Sequence, residues 1–269
     1  MNKLVKIYAR PKLKSPVMLA SWPGIGNVSL ILADYLKRKL DFKILCEVDS
    51  SYFFDPTGVM VKDSLVEAPH FPENRFYYWK NRGEGNDIIL FFGEDQPVAK
   101  GYELAHCILD VGVRFHIERI YTCAAALTRI HHTEESRVWG VATSLQAKES
   151  LQQYDLVQRG NIHISGLNGL MLGVARERDI DGVCLLGEVP SYATHIQNPM
   201  AAQAVLGVLA RILGIDIDMA ELAQLAGEVR ENIKQVAAEA MGEYIDHFTE
   251  PIWEQGGGGE YEDDDEDEE

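Results

Sequence analysis

The residues nearest to a chemical motif are Gly24-x-Gly26-x-x-Ser29, set in the run S-W-P-G-I-G-N-V. Two glycines and a small residue at this spacing make two-thirds of a dinucleotide fingerprint, with serine replacing the glycine that lets helix and strand pack closely. Asn27 stands where it would cap the next helix, and the free N–H groups of a helix start attract anions. An incomplete glycine pattern also serves as a plain tight turn. Glu188 follows the apolar run G-V-C-L-L-G, at the end of an expected buried strand, where α/β proteins form ligand crevices. With His195 nearby it could make an acid/base pair; the alternative is a carboxylate that caps a helix or binds loop amides. Glu47 and Asp49, at the end of another expected strand, could face the same crevice. Asn168 lies in a second glycine-rich helix entry, Gly166-Leu-Asn-Gly169, but Ser165 before it is in no G-x-S-x-G elbow, so a hydrolase nucleophile has no support. The candidate crevice is therefore Gly24, Gly26, Asn27, Glu47, Asn168 and Glu188, with no catalytic residue assigned.

His131-His132-Thr-Glu134-Glu135 has the residue types of a metal site. Adjacent side chains diverge and no third ligand follows at helical spacing, so a solvated loop is expected, with no metal and no cofactor. Phe53, Phe54, Phe71, Phe76, Tyr77, Tyr78 and Trp79 form an aromatic cluster. Such residues build cores and also interfaces, which leaves Phe76, Tyr78 and Trp79 as candidates for protein contact.

Strands and helices alternate around these residues. Apolar runs predict strands at 17–21, 42–48, 117–125, 138–142 and 182–187, and 75–80 with 88–92 flank N-R-G-E-G-N as a hairpin. Helices are expected at 28–40, 98–114 and 167–178, a short one behind a Thr143/Gln146 capping box, and one at 199–213 behind Asn198-Pro199. A final long helix starts at Asp218/Glu221 and runs to about 245, with Leu222, Leu225, Val229, Ile233, Val236 and Ala240 along one face. This order predicts one α/β domain over 1–250: a three-layer α/β/α sandwich with a mixed, mostly parallel sheet and an antiparallel insertion near 52–92.

Hydrophobic residues make up 46%, enough for a large core without disulfide or metal staples. The net charge is −17, but residues 260–269 hold nine carboxylates; without them 33 acidic residues face 25 basic ones, leaving −8. No clustered basic face is legible, which argues against nucleic acid as a partner. Residues 255–269, Gly-rich then acidic, are expected to form a disordered tail. Cys46, Cys107, Cys123 and Cys184 form no C-x-x-C pair, as in reduced proteins, and no apolar run is long enough to cross a membrane. A cytoplasmic protein is expected.

Three runs carry a family resemblance: S-W-P-G-I-G-N-V, I-S-G-L-N-G-L-M-L-G-V-A-R-E-R-D-I-D-G-V-C-L-L-G-E-V-P-S-Y, and N-P-M-A-A-Q-A-V-L-G-V-L-A-R-I-L-G-I-D-I-D. In consistent order over residues 15–245, the chain resembles the proteasome assembly chaperone family in its archaeal and bacterial branch. The resemblance implies a nucleoside-phosphorylase-like fold, homo-oligomers, and proteasome or other protein subunits as partners; it implies no catalytic residues. Members that dock on proteasome rings often end in a hydrophobic–tyrosine–any triplet. This sequence ends Asp267-Glu268-Glu269, with Tyr261 inside the acidic run, so that feature is not carried over. The competing class is an enzyme on the same scaffold that binds a nucleotide, nucleoside or other small anion.

Overall fold

The computed structural model describes residues 4–158 and 160–249, with side chains as far as 235. The described residues up to Arg230 form one compact unit, and those from Glu231 to Thr249 belong to another; the sheet and the helices that cover it belong to the first. The expected tail at 255–269 lies outside the described residues.

In chain order the elements are β1 (Val5–Ile7), β2 (Val17–Ser21), α1 (Val28–Lys39), β3 (Lys43–Val48), β4 (Val61–Lys62), β5 (Leu65–Val66), β6 (Asn74–Trp79) and β7 (Ile88–Gly93). Then come α2 (Gly101–Arg114), β8 (Arg119–Thr128), β9 (Val138–Ala142), α3 (Leu145–Ser150), α4 (Gly166–Glu177), β10 (Gly182–Pro190), α5 (Pro199–Leu213) and α6 (Ala220–Thr249). Eight strands form one sheet in the order β1-β3-β6-β7-β2-β8-β10-β9. β7, β2, β8 and β10 pair in parallel at its centre. β3 runs the same way, while β1, β6 and β9 run against it. The expected mixed, mostly parallel sheet is this one, with the hairpin β6–β7 grafted onto its parallel centre.

Helices cover both faces, which completes the three layers. Val28, Leu32 and Leu36 of α1 pack with Val205 and Leu209 of α5 on one face. Leu104 and Ile108 of α2 pack with Met171 and Val174 of α4 on the other. Every residue of β2 and β10 is buried, as a strand covered on both faces must be, and this is why V-M-L-A and G-V-C-L-L-G read as continuous apolar runs.

Local chemistry places the helix ends. Asn198 caps α5, its Oδ1 accepting from the Ala201 N–H at 2.8 Å, with Pro199 at the first helical position. Two expected caps differ. Asn27 adopts the left-handed conformation (φ 50°) and makes no side-chain cap bond to α1. Ser144, not Thr143, caps α3 by accepting from the Ala147 N–H at 3.0 Å, because the Thr143 hydroxyl is engaged by the Gly182 N–H at 2.8 Å. On α6, Leu222, Ala226 and Ile233 are buried, whereas Leu225 is 40% exposed; Val236 and Ala240 lie outside the described side chains.

Candidate functional site

The central parallel strands open onto a crevice of about 500 Å³ at the carboxyl ends of β2 and β8. From β2 the chain leaves through α1 toward β3 on one side of the sheet order, and from β8 it leaves toward β9 on the other. Such a divergence is where open α/β sheets leave room for ligands. The walls are Gly24 and Ile25 from the turn after β2, Ser29 of α1, Gln96, Ala124–Leu127 of β8, and the segment 161–168 that leads into α4.

Close backbone approaches shape it. Gln96 joins two walls: its Nε2 donates to the Pro23 carbonyl at 2.6 Å and its Oε1 accepts from the Leu167 N–H at 2.8 Å. A Cβ on Gly169 would lie 2.0 Å from the Ile164 carbonyl oxygen, so only glycine lets the segment fold onto α4. Gly24 and Asn168 meet across the crevice: a Cβ on Gly24 would stand 3.6 Å from Asn168 Nδ2. Asn168 is 4% exposed, and its Oδ1, itself buried, has no hydrogen-bond partner among the described residues. Ser165 makes no side-chain cap at the start of α4. The Ser29 hydroxyl donates to the Ser21 hydroxyl at 2.9 Å, beneath the same wall.

Of the six crevice residues expected from sequence, Gly24 and Asn168 line it. Gly26 faces the other way. Its φ is +62°, its carbonyl accepts from the Asn198 N–H at 2.8 Å, and a Cβ there would stand 2.9 Å from Asn198 Cβ, so it seats the start of α5. Asn27 and Glu47 do not line the crevice. Glu47 belongs to β3, which β6 and β7 separate from β2, and pairs with Lys6 at 3.7 Å and Arg75 at 3.6 Å. Asp49 instead accepts from Ser51 at 3.0 Å in a tight turn.

Glu188 is 1% exposed and is held by Trp139 of β9 and by Arg137 just before that strand. Arg137 donates Nε to Oε2 and Nη2 to Oε1, both at 2.9 Å, and Trp139 Nε1 donates to Oε1 at 3.0 Å. Both oxygens are thus taken by Arg137 and Trp139, and no pair with His195 forms. Burial pushes this carboxyl up, but the hydrogen bonds from Arg137 and Trp139 and the guanidinium charge outweigh it and hold it below the ordinary carboxylate range. The His131 and His132 rings lie against each other with centroids 4.1 Å apart, and their Nδ1 atoms go to different partners: His131 Nδ1 contacts Thr133 Oγ1 at 2.7 Å, and His132 Nδ1 contacts the Tyr192 hydroxyl at 3.0 Å. Among the described residues, no three His, Cys, Asp or Glu side chains converge as a metal site requires.

The aromatic candidates divide. Phe76 is wholly buried, stacked edge-on against Phe91 with ring centroids 4.8 Å apart, so it is core and presents nothing to a partner. Tyr78 and Trp79 are partly buried, each packed on a different face of the sheet. A cluster of exposed aliphatic residues lies elsewhere, on β4–β5 and just before it: Met60, Val61, Leu65 and Val66 are 61–73% exposed, and residues 55–70 have no buried member. Sequence reading missed this hairpin, although Asp63-Ser64, both at positive φ, is a turn-forming pair.

A family model for PAC2 matches residues 18–237. The chain belongs to the PAC2 family. Solved structures that it resembles include PbaB of Pyrococcus furiosus, an archaeal proteasome activator, at 30% identity over 87% of this chain and 98% of that one, with a TM-score of 0.73. PbaA of the same organism, an archaeal homologue of proteasome-assembly chaperone, is 23% identical over 86% and 96%, with a TM-score of 0.64, and is a likeness of fold. An uncharacterized protein of Methanocaldococcus jannaschii is 28% identical over 87% of this chain and 89% of its own. The resemblance carried by the three sequence runs therefore stands, and this PAC2 chain is related to proteasome-assembly chaperone homologues.

Proposed function

We propose that this PAC2 chain is a non-catalytic, homo-oligomeric cytoplasmic protein that binds proteasome-type subunits and promotes their assembly or activation. The observation that carries the reading is the 30% identity to PbaB, an archaeal proteasome activator, across 98% of that chain. The acid/base candidate in the sequence supports it by its environment, because Glu188 is committed to Arg137 and Trp139. So does the apolar hairpin: two-stranded ribbons are marginal alone, and exposed clustered aliphatics commonly mark a binding surface.

Native mass spectrometry of the purified chain, alone and with purified archaeal proteasome subunits, tests the proposal together with peptide hydrolysis by the assembled particle. The expected result is a homo-oligomer that raises the yield or activity of the particle. The double variant Val61→Asp/Leu65→Asp keeps the wild-type Tm, since both side chains are in water, and loses the effect. A monomer with no complex and no change in hydrolysis would sink the reading.

A further inference from the structure

We propose that a cleft at the amino ends of β2 and β8 docks an acidic peptide segment of a partner protein, its carboxylates on Arg10, Lys12 and Arg114 and an apolar side chain on Leu13 and Phe115. The proposal goes beyond the proteasome reading and uses none of the β4–β5 ribbon, so either can fail without the other.

Charge placement carries it. The chain is at −17, yet this cleft of about 620 Å³ is lined by Arg10, Lys12, Arg114 and His116 and by one carboxylate, Glu118. All four basic side chains are exposed, and among the described residues Arg10, Lys12 and Arg114 make no ion pair. The fold gathers them from two stretches about a hundred positions apart in the sequence. Both walls are fixed. In the first, the Lys14 N–H donates to Asp87 Oδ2 and Asn86 Nδ2 donates to the Ser15 carbonyl, each at 2.7 Å. In the second, the turn after α2 is closed by the Phe115 N–H on the Val111 carbonyl and the Ile117 N–H on the Gly112 carbonyl, both at 3.1 Å. The Glu118 N–H donates to the Pro16 carbonyl at 2.8 Å and joins the two walls. A surface already ordered loses less freedom on binding. The floor is apolar: Pro11, Leu13 and Phe115 are half-buried, and Leu13 and Phe115 continue into the core.

Peptide carboxylates fit this cleft better than phosphate does. It stands at the carboxyl end of α2, the negative end of the helix dipole, which disfavours a compact dianion. Singly charged carboxylates can instead spread over long, exposed cations whose stems lie on the apolar floor. The rest of the chain is acidic, at −8 even without residues 260–269, and repels a nucleic-acid backbone beyond the cleft. Complementary charge of this kind selects partners and speeds their encounter.

Fluorescence anisotropy of the full chain with a labelled Glu/Asp-rich peptide bearing one Phe tests this, beside the Gln/Asn version of the same peptide. The acidic peptide is expected to bind once per chain and about tenfold more weakly at about 300 mM than at about 50 mM salt, and the Gln/Asn version not to bind. Tripolyphosphate and an oligothymidylate, added as competitors, are expected to displace it only in excess. Arg10→Glu/Lys12→Glu is expected to keep the wild-type Tm, since both side chains are exposed and unpaired, and to weaken binding about tenfold or more. Arg129→Glu/Lys148→Glu changes the net charge equally at exposed residues outside the cleft, and is expected to bind as the wild type does. Residues 260–269 are themselves rich in carboxylates, so the titration is repeated on the chain ending at Gln255. Binding seen there and not in the full chain would assign the cleft to this chain's own segment and overturn a partner's. The proposal is also overturned by no binding to either chain, by equal binding of the Gln/Asn peptide, by displacement at equal concentration of a phosphate competitor, or by equal effects of the two double variants.

Discussion

Glu188 and Arg137 share charge unequally: the carboxylate side chain is fully shielded, while the guanidinium side chain is 70% exposed. Removing the guanidinium would leave a buried carboxylate with the Trp139 N–H as its remaining side-chain donor. Arg137→Ala should therefore lower stability in denaturant melts at pH 7, because the shielded carboxylate stays charged after its partner is removed. The pH dependence follows from the depressed carboxyl. A group whose folded pKa lies below its unfolded value contributes stability above the unfolded value, about 4.3 for glutamate, and loses it as pH falls through the folded one. The gap between wild type and Arg137→Ala should therefore narrow below about pH 4, where the carboxyl is protonated and no longer needs the charge. An equal gap at both pH values would contradict this account.

At the scale of elements, β6 and the β4–β5 ribbon give opposite answers to one question of aromatic and aliphatic surface. β6 alternates, and its inward Phe76 is sealed between Cys46 of β3 and Phe91 of β7. Phe76→Ala should cost about 3–5 kcal/mol by thermal or urea unfolding, the range for emptying a packed aromatic site. While folded, it should leave partner binding as in the wild type. The ribbon, with its aliphatics in water, should behave in reverse, losing binding at constant Tm. If instead Phe76→Ala unfolds the chain no more easily than wild type, the assignment of β6 to the core is wrong.

For the whole molecule, two properties are global. All four cysteines are free and buried. Burial pushes the Cys46 and Cys184 thiols up to about 12 and the Cys107 thiol up to about 11, and raises Cys123 as well. Iodoacetamide at pH 8 should thus label none of them in the native chain and all four after denaturation, read by mass spectrometry. The other property is charge. Truncation after Gln255 deletes nine carboxylates and moves the net charge from −17 to −8, because 42 − 9 = 33 acidic residues then face 25 basic ones. With charge serving solubility, the truncated chain should keep its Tm and its recovery of partners and precipitate at lower protein concentration. Loss of partner recovery would assign the segment a binding role instead.

The sequence by itself determined the class of fold and the secondary elements other than β1 and the β4–β5 ribbon. A run such as V-M-L-A-S or G-V-C-L-L-G can be satisfied only inside a covered sheet, and Asn198-Pro199 starts a helix through bonds made within four residues. These are local signals, and the thiols buried in such runs are legible for the same reason. The composition of the crevice was legible in part: Gly24 and Asn168 bear recognisable types, while Gln96 and Ala124–Ala126 contribute position rather than chemistry and leave no mark in the sequence. Only the tertiary structure decided which strand ends meet. β2 and β3 are successive strands of the large sheet, yet β6 and β7 lie between them, which removes Glu47 from the crevice. Glu188 lies near the end of β10, where Trp139 of β9 and Arg137 just before that strand claim it, some fifty positions away in the chain. Periodicity is set by neighbours in sequence, but contact across a sheet is set by strand order, and no local pattern encodes that order.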